Sequence, residues 1–326
     1  MFARSAAGSV SAMKTQLIGR SSLATARLAY GNMRTVGTWN PAEVTPEKME
    51  TAVKSHVAAY EAGYTHFDTA DIYCRGQCEI ALGKTLKQVR GMRDRITIAT
   101  KCGIRFGGDP KPESPHRYDF SAEHILWSAD NSLKNLQVET IDLYYLHRPD
   151  LLMNPPEIAE AFIKLRHAGK VREFAVSNFL PSFVSALQAH LPFPIVANQV
   201  EIHPGRLDPF TDGTLDQCIE KNITPLSWSP LAGGWLGAGK ELDPNHAQYE
   251  KRKKLVEAID AIAGEYGVSR TVITLAWLLK HPAKIVPIIG SNNPAHIRDA
   301  AKADDVELTR EQWYKILLAA RGAPLP

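Results

Sequence analysis

With 326 residues and 36.0 kDa, the chain can form one large domain or two ordinary ones, and its 44% hydrophobic and 22% charged residues are ordinary globular usage. A net charge of +3, evenly spread, excludes a strongly basic nucleic-acid-binding surface, and four cysteines exclude a disulfide scaffold. No stretch nears 18 consecutive apolar residues, which excludes a membrane-spanning helix.

The chain starts with Arg4, Lys14, Arg20, Arg27 and Arg34 and has no acidic residue before Glu43. Such a start has two readings, an organelle transit peptide or a short extension. The extension is the simpler one. It predicts a flexible segment over 1–14 and a single domain over 15–326. No apolar run suits a secretory signal, so a cytoplasmic protein with reduced thiols is expected.

An apolar run predicts the first strand at 28–33. Met49, Val53, Val57 and Tyr60 then recur near helical spacing between Pro46 and Ala62, and Gly63 ends that helix. A strand at 65–68 and a helix at 79–86 follow. Residues 95–101 alternate as a strand, and Ser121 N-caps a helix running to Leu136. Residues 141–147 are almost continuously apolar, the mark of a strand buried on both faces. The rhythm repeats with helix 155–168 closed by Gly169, strand 171–177, helix 181–190, strand 194–200, helix 214–221 and strand 224–228. Helices at 251–266 and 270–280 precede a buried strand at 285–290 and helices at 294–303 and 308–320. Eight strands alternating with helices imply a parallel sheet. They predict a closed α/β barrel, a (β/α)8 TIM barrel with extra helices near the C-terminus. No Gly-x-Gly-x-x-Gly follows the first strand, which argues against a doubly wound dinucleotide fold. Long loops are expected at 103–118 and 230–240, on the barrel face that carries chemistry.

Three polar residues fall at the carboxyl ends of predicted strands: Asp68, Lys101 and His147. Tyr73 follows Asp68 in the next loop. Each alone has an ordinary structural reading as a cap, a solvated lysine, a packed ring or a buried histidine. Together on one barrel face they suit a single chemistry. A tyrosine, with a free pKa of about 10, holds its proton at neutral pH. A nearby ammonium from Lys101 stabilises the phenolate, and Asp68 supplies the counter-charge that a lysine inside a barrel needs. A neutral His147 can orient a carbonyl oxygen beside the phenol. This set protonates an oxygen that gains charge as hydride adds to a carbonyl.

These residues lie in segments that resemble the aldo-keto reductases. Residues 63–73, GYTHFDTADIY, are similar to the family's signature around its aspartate and tyrosine. Thr100, Lys101 and Cys102 are similar to its lysine step, and Leu146 and His147 to its histidine step. The resemblance runs from about residue 17 to residue 318, and the HRPD and SNF runs resemble the bacterial oxidoreductase branch. It implies a (β/α)8 barrel that reduces aldehydes and ketones to alcohols with NADP(H), with NAD(H) as the alternative cofactor. In this scheme Tyr73 is the acid, Lys101 and Asp68 tune it, and His147 orients the substrate. Ser177, Asn178 and Gln199 would hold the nicotinamide carboxamide, Trp228 would stack on its ring, and Ser229, Leu231 and Gly233 would meet the pyrophosphate. Gly290, Ser291, Asn292 and His296 would meet the adenosine end. Relatives commonly place Arg or Lys there. This chain has Asn292, Asn293 and His296, with Arg298 nearby, which implies a modest preference for NADP.

No metal site is expected from Cys74, Cys78 and Cys102, and His203 reads as structural. The partner expected is a small carbonyl substrate, with no nucleic acid or membrane, on a monomer. Met33, Trp39, Phe106, His116, Tyr118, Phe120, Trp235 and Leu236 lie in the entrance loops and predict an aromatic-walled pocket.

Overall fold

The computed structural model describes residues 13–325. The chain begins with two strands that its hydrophobic pattern does not announce. β1 (Thr15–Leu17) and β2 (Ala24–Ala26) pair antiparallel as a hairpin. β3 (Ala29–Gly31), β4 (His66–Asp68) and β5 (Thr97–Cys102) start the barrel. A second antiparallel pair, β6 (Ile104–Arg105) and β7 (Arg117–Tyr118), lies inside the stretch expected to be a loop. β8 (Ile141–Leu146), β9 (Val171–Ser177), β10 (Ile195–Glu201), β11 (Thr224–Trp228) and β12 (Val286–Ile289) complete a closed, parallel, eight-stranded barrel. The expected barrel is therefore present, and β8 is buried along its whole length.

Helices α1 (Pro46–Glu61), α2 (Gln77–Gln88), α3 (Ala122–Leu136), α4 (Pro155–His167), α5 (Pro181–Gln188) and α6 (Thr214–Lys221) each follow a barrel strand. Then come α7 (Tyr249–Tyr266), α8 (Arg270–Leu279), α9 (Pro294–Ala301) and α10 (Arg310–Arg321). α7 and α10 are the additional helices and pack on one another. Local chemistry sets several boundaries. Thr45 Oγ1 accepts from the Lys48 N–H ahead of Pro46, and Ser121 Oγ accepts from the His124 N–H. Asn293 Oδ1 accepts from the Ala295 N–H in front of α9. Each such cap is worth about 1 kcal/mol. Residues 93–95 form a 3₁₀ turn, so β5 begins at Thr97 rather than at 95.

The hairpin closes the floor of the barrel. Ile18 and Leu23, from its turn, join the lumen cluster of Ala29, Ala99, Leu143, Ala175, Ala197 and Leu226. Gly19 makes this approach with φ +52°, and a Cβ there would stand 2.2 Å from the Val196 carbonyl oxygen. Its N–H donates to Thr224 Oγ1 at 2.7 Å. At the floor end of β8, buried Asp142 accepts from the Ile98 N–H at 2.8 Å and pairs with Arg93 at 2.9 Å and Arg172 at 3.1 Å.

Of the flexible extension expected over 1–14, residues 1–12 lie outside the described residues. Met13 and Lys14 belong to the body. Met13 is buried beside Gly63, and the Lys14 N–H donates to Asp304 Oδ2 at 2.5 Å. Among the described residues no helix is long and apolar enough to cross a membrane.

Candidate active site

The parallel barrel carries β4, β5 and β8 side by side, so their carboxyl ends bring Asp68, Lys101 and His147 to one mouth. The loop after β4 turns sharply through left-handed Cys74 and Arg75 into Gly76, and this folds Tyr73 back over Lys101. The Lys101 ammonium is fully buried and spends its three donors on three oxygens. These are Asp68 Oδ1 at 2.6 Å, the Thr69 carbonyl at 2.7 Å and the Tyr73 phenol oxygen at 3.3 Å. Burial presses the ammonium toward neutrality, but Asp68 and Tyr73 outweigh it and hold the lysine above its ordinary pKa. Burial also raises the Tyr73 phenol above its usual value, with Lys101 opposing. The sequence reading anticipates the lysine's effect on the phenol, but the net direction belongs to desolvation.

His147 stands with its ring 5.7 Å from that of Tyr73, edge to face. Its Nδ1 is buried without a partner. Burial first, then the Lys101 and Arg148 cations, hold the imidazole well below its ordinary pKa, so it is neutral. The four residues thus present a protonated phenol and an uncharged ring to one space.

The neighbouring strand ends form the other wall. Ser177 Oγ donates to the Gln199 carbonyl at 2.9 Å, and Asn178, left-handed at φ 62°, donates to Ser177 Oγ at 2.8 Å and to the His147 carbonyl at 3.3 Å. Asn178 Oδ1 accepts from the Trp228 indole N–H at 2.9 Å. The Gln199 amide N–H donates to Asp68 Oδ2 at 2.8 Å. A primary carboxamide would fit this set through the oxygen that Gln199 leaves free, beside the Trp228 ring. The following loop, with Ser229, Ala232, Gly233 and Gly234 all at positive φ, presents backbone of the kind that approaches phosphates.

A cavity of about 460 Å3 joins these walls. Asp68, Tyr73, His147, Ser177, Asn178, Gln199, Trp228, Ser229, Leu231, Gly233, Gly290 and Ser291 all line it, with Lys101 buried beneath. Asn292 and His296 do not. The Asn292 amide holds the Arg34 and Thr35 carbonyls at 2.8 and 3.2 Å, Asn293 is spent as the α9 cap, and His296 is exposed on that helix. Among the expected entrance residues Met33 and Trp39 line the cavity. Phe120 and Leu236 are buried in the core, and Phe106, His116, Tyr118 and Trp235 are not on its wall. The cavity adds Arg34, Ile72, Ile104 and Arg148, which the sequence reading misses. Arg148 had a signal, since it directly follows His147. Its guanidinium lies 5.4 Å over the Trp228 ring.

A parallel eight-stranded barrel with an aspartate, tyrosine, lysine and histidine converging at its mouth defines a class of oxidoreductase. The Aldo/keto reductase family model matches residues 27–318, and the chain belongs to that family. It is 39% identical over 315 residues to a 6-dehydroglucose reductase of Novosphingobium aromaticivorans, covering 95% of this chain and 96% of that one. It is 38% identical over 288 residues to the oxidoreductase YdhF of Escherichia coli, covering 88% and 91%. Among solved structures, the holo form of an aldo-keto reductase from Bacillus halodurans superposes with a TM-score of 0.78 at 25% identity, covering 95% of this chain and 97% of that one.

Proposed function

We propose that the protein reduces aldehydes and ketones to alcohols with NADP(H), with Tyr73 as the general acid. The observation that carries this reading is the single buried ammonium of Lys101, which donates at once to Asp68 and to the phenol oxygen. NADPH would supply the hydride to the carbonyl carbon. The chain's own residues do the rest. Gln199, Asn178 and Ser177 present polar groups for a carboxamide, and Trp228 gives a planar wall. Neutral His147 donates to the carbonyl oxygen without drawing off the Tyr73 proton. Tyr73 then hands its proton to the oxygen as charge develops there, and Lys101 stabilises the phenolate left behind. In the reverse direction the same phenolate takes the alcohol proton.

Two relatives named 6-dehydroglucose reductase, at 39% and 37% identity, support sugar-derived aldehydes among the substrates. A second cofactor reading, NAD(H), is favoured by one observation. The Asn292 amide N–H groups are spent on the Arg34 and Thr35 carbonyls and are not left for a 2′-phosphate. We place the activity in a cytoplasmic monomer with one catalytic domain that takes in Met13 and Lys14. In support of the compartment, Cys74, Cys78, Cys102 and Cys218 are free thiols. The test is an absorbance assay of NADPH and NADH oxidation against a panel of aldehydes, ketones and sugar dialdehydes, run beside Tyr73→Phe. Turnover that survives the substitution on every substrate would overturn the reading.

A further inference from the structure

A second cavity, of about 430 Å3, shares Ser229 and Gly233 with the catalytic one. Its walls are the turn after β10, the loop after β11 and the first turns of α7. The catalytic residues do not reach it, and apart from the shared loop none of its lining belongs to the site described above.

Its charges are lopsided. Arg206, Lys251 and Arg252 line it against one carboxylate, Glu201. His203 adds no charge. Its Nδ1 accepts from the Gly205 N–H at 3.0 Å, and burial holds the ring down to about 4. The proton is therefore on Nε2, 3.5 Å from Glu201 Oε1, where it faces that carboxylate. Arg206 is paired with Asp208 at 2.7 Å. Lys251 and Arg252 have no carboxylate partner among the described residues. Arg252 Nε is shut off from solvent with no hydrogen-bond partner, and the guanidinium is held 4.7 Å over the Trp235 ring. A stacked guanidinium is oriented in advance, and its planar fork matches a phosphate or carboxylate.

The helix makes the same demand. α7 begins YEKRKK, so four successive cations follow Glu250 in its first two turns, and Gln248 gives no side-chain cap. Cations there oppose the helix dipole, and the first N–H groups lack a side-chain partner. An anion in the cavity would answer the unpaired cations and the helix end together. Lys251 and Arg252 are the two unpaired cations such an anion would meet; with Arg206 balanced by Asp208, Glu201 on the same wall leaves a net charge of +1, which suits a phosphate-bearing anion.

We propose that this cavity binds a small phosphate-bearing anion distinct from the dinucleotide, and that its occupancy alters cofactor release through the shared Ser229–Gly233 loop. The loop is suited to this. Ser229 and Ala232 hold left-handed backbone, which persists only while the surroundings enforce it.

The probes are inorganic pyrophosphate and ADP, titrated calorimetrically into enzyme saturated with NADPH, at constant ionic strength set with potassium chloride. Saturable binding of either probe is expected, with pyrophosphate the tighter if the ligand is a free phosphate and ADP the tighter if it is a nucleotide. Arg252→Met should weaken it by about tenfold or more, the loss of one charge-assisted contact. Lys251→Met, on an exposed side chain that cannot unfold the protein, should weaken it in the same direction. Stopped-flow release of NADPH should change with pyrophosphate in the native enzyme and not in Lys251→Met. Absence of binding to the NADPH-saturated enzyme would overturn the proposal, because the anion would then have used only the dinucleotide site. Binding that both substitutions leave intact would overturn it equally.

Discussion

The side-chain N–H of Gln199 donates to Asp68 Oδ2 at 2.8 Å, on the carboxylate oxygen that Lys101 leaves free. One amide therefore joins the wall proposed for the nicotinamide to the charge that steadies the buried Lys101 ammonium. Gln199→Leu should weaken NADPH binding and also lower kcat, since it strands a buried carboxylate oxygen, at a cost of about 1–3 kcal/mol. Fluorescence titration of NADPH and single-turnover kinetics separate the two effects. A change in affinity alone would show that the Asp68 bond plays no part in catalysis.

Tyr73→Phe should cut reduction by about 10²–10⁴-fold, the usual contribution of a general acid, while NADPH affinity stays close to native. Lys101→Met should cost about as much, because the two groups act as a unit. The check is kcat for both variants on one good aldehyde.

The pH dependence follows from the two rings. Burial raises the Tyr73 phenol above 10.0, so it stays protonated across the neutral range. Reduction should be flat from about pH 6 to 9, and alcohol oxidation, which needs the phenolate, should climb without a plateau below about pH 10. His147 is held well below 6.5 and should give no acid limb in that range. Arg148→Met removes one of the cations that lower it and should move the acid limb upward. An alkaline fall in reduction near pH 8 would contradict the assignment.

Asp142 anchors the floor with Arg93, Arg172 and the Ile98 N–H. Asp142→Ala takes the acceptor from the buried Ile98 N–H and a partner from the partly exposed Arg93 and Arg172, and should destabilise by about 1–3 kcal/mol. The molecules that remain folded should keep native kcat, because the chemistry is at the other end of the barrel. Urea denaturation and active-site titration test the two parts.

His296→Arg should favour NADPH over NADH by no more than about fivefold, because residue 296 is exposed on α9 and off the cavity wall. Titration of both cofactors at pH 6 and 8 tests it. A larger preference in the variant would mean that the 2′-phosphate lies directly against residue 296.

The barrel was legible because β8 is almost continuously apolar and several helices are bounded by readable residues, Ser121 at the start of α3 and Gly63 and Gly169 just past the ends of α1 and α4. The convergence of Asp68, Lys101 and His147 was legible because the ends of adjacent parallel strands must meet. The hairpin β1–β2 was not, since Thr15–Leu17 and Ala24–Ala26 carry no apolar run and β1 is largely exposed. Asn292 misled because a polar residue at a helix start reads the same whether it meets a ligand or ties down a loop. Phe120 misled for a related reason: Gly103 lets its ring fold under the loop, where a Cβ would stand 2.0 Å from it. Arg34 reaches the cavity from a separate loop, and linear spacing does not report such proximity.

The floor hairpin also sets how the molecule can be held. Met13 packs beside Gly63, on the side of the barrel from which β4 starts, and Ile18 plugs the lumen from below. A support attached ahead of Met13 would therefore grip the enzyme by its sealed end. Every molecule so tethered would turn its open mouth toward the solution, and immobilisation through that end should preserve turnover where attachment through the surface lysines of α7 would not.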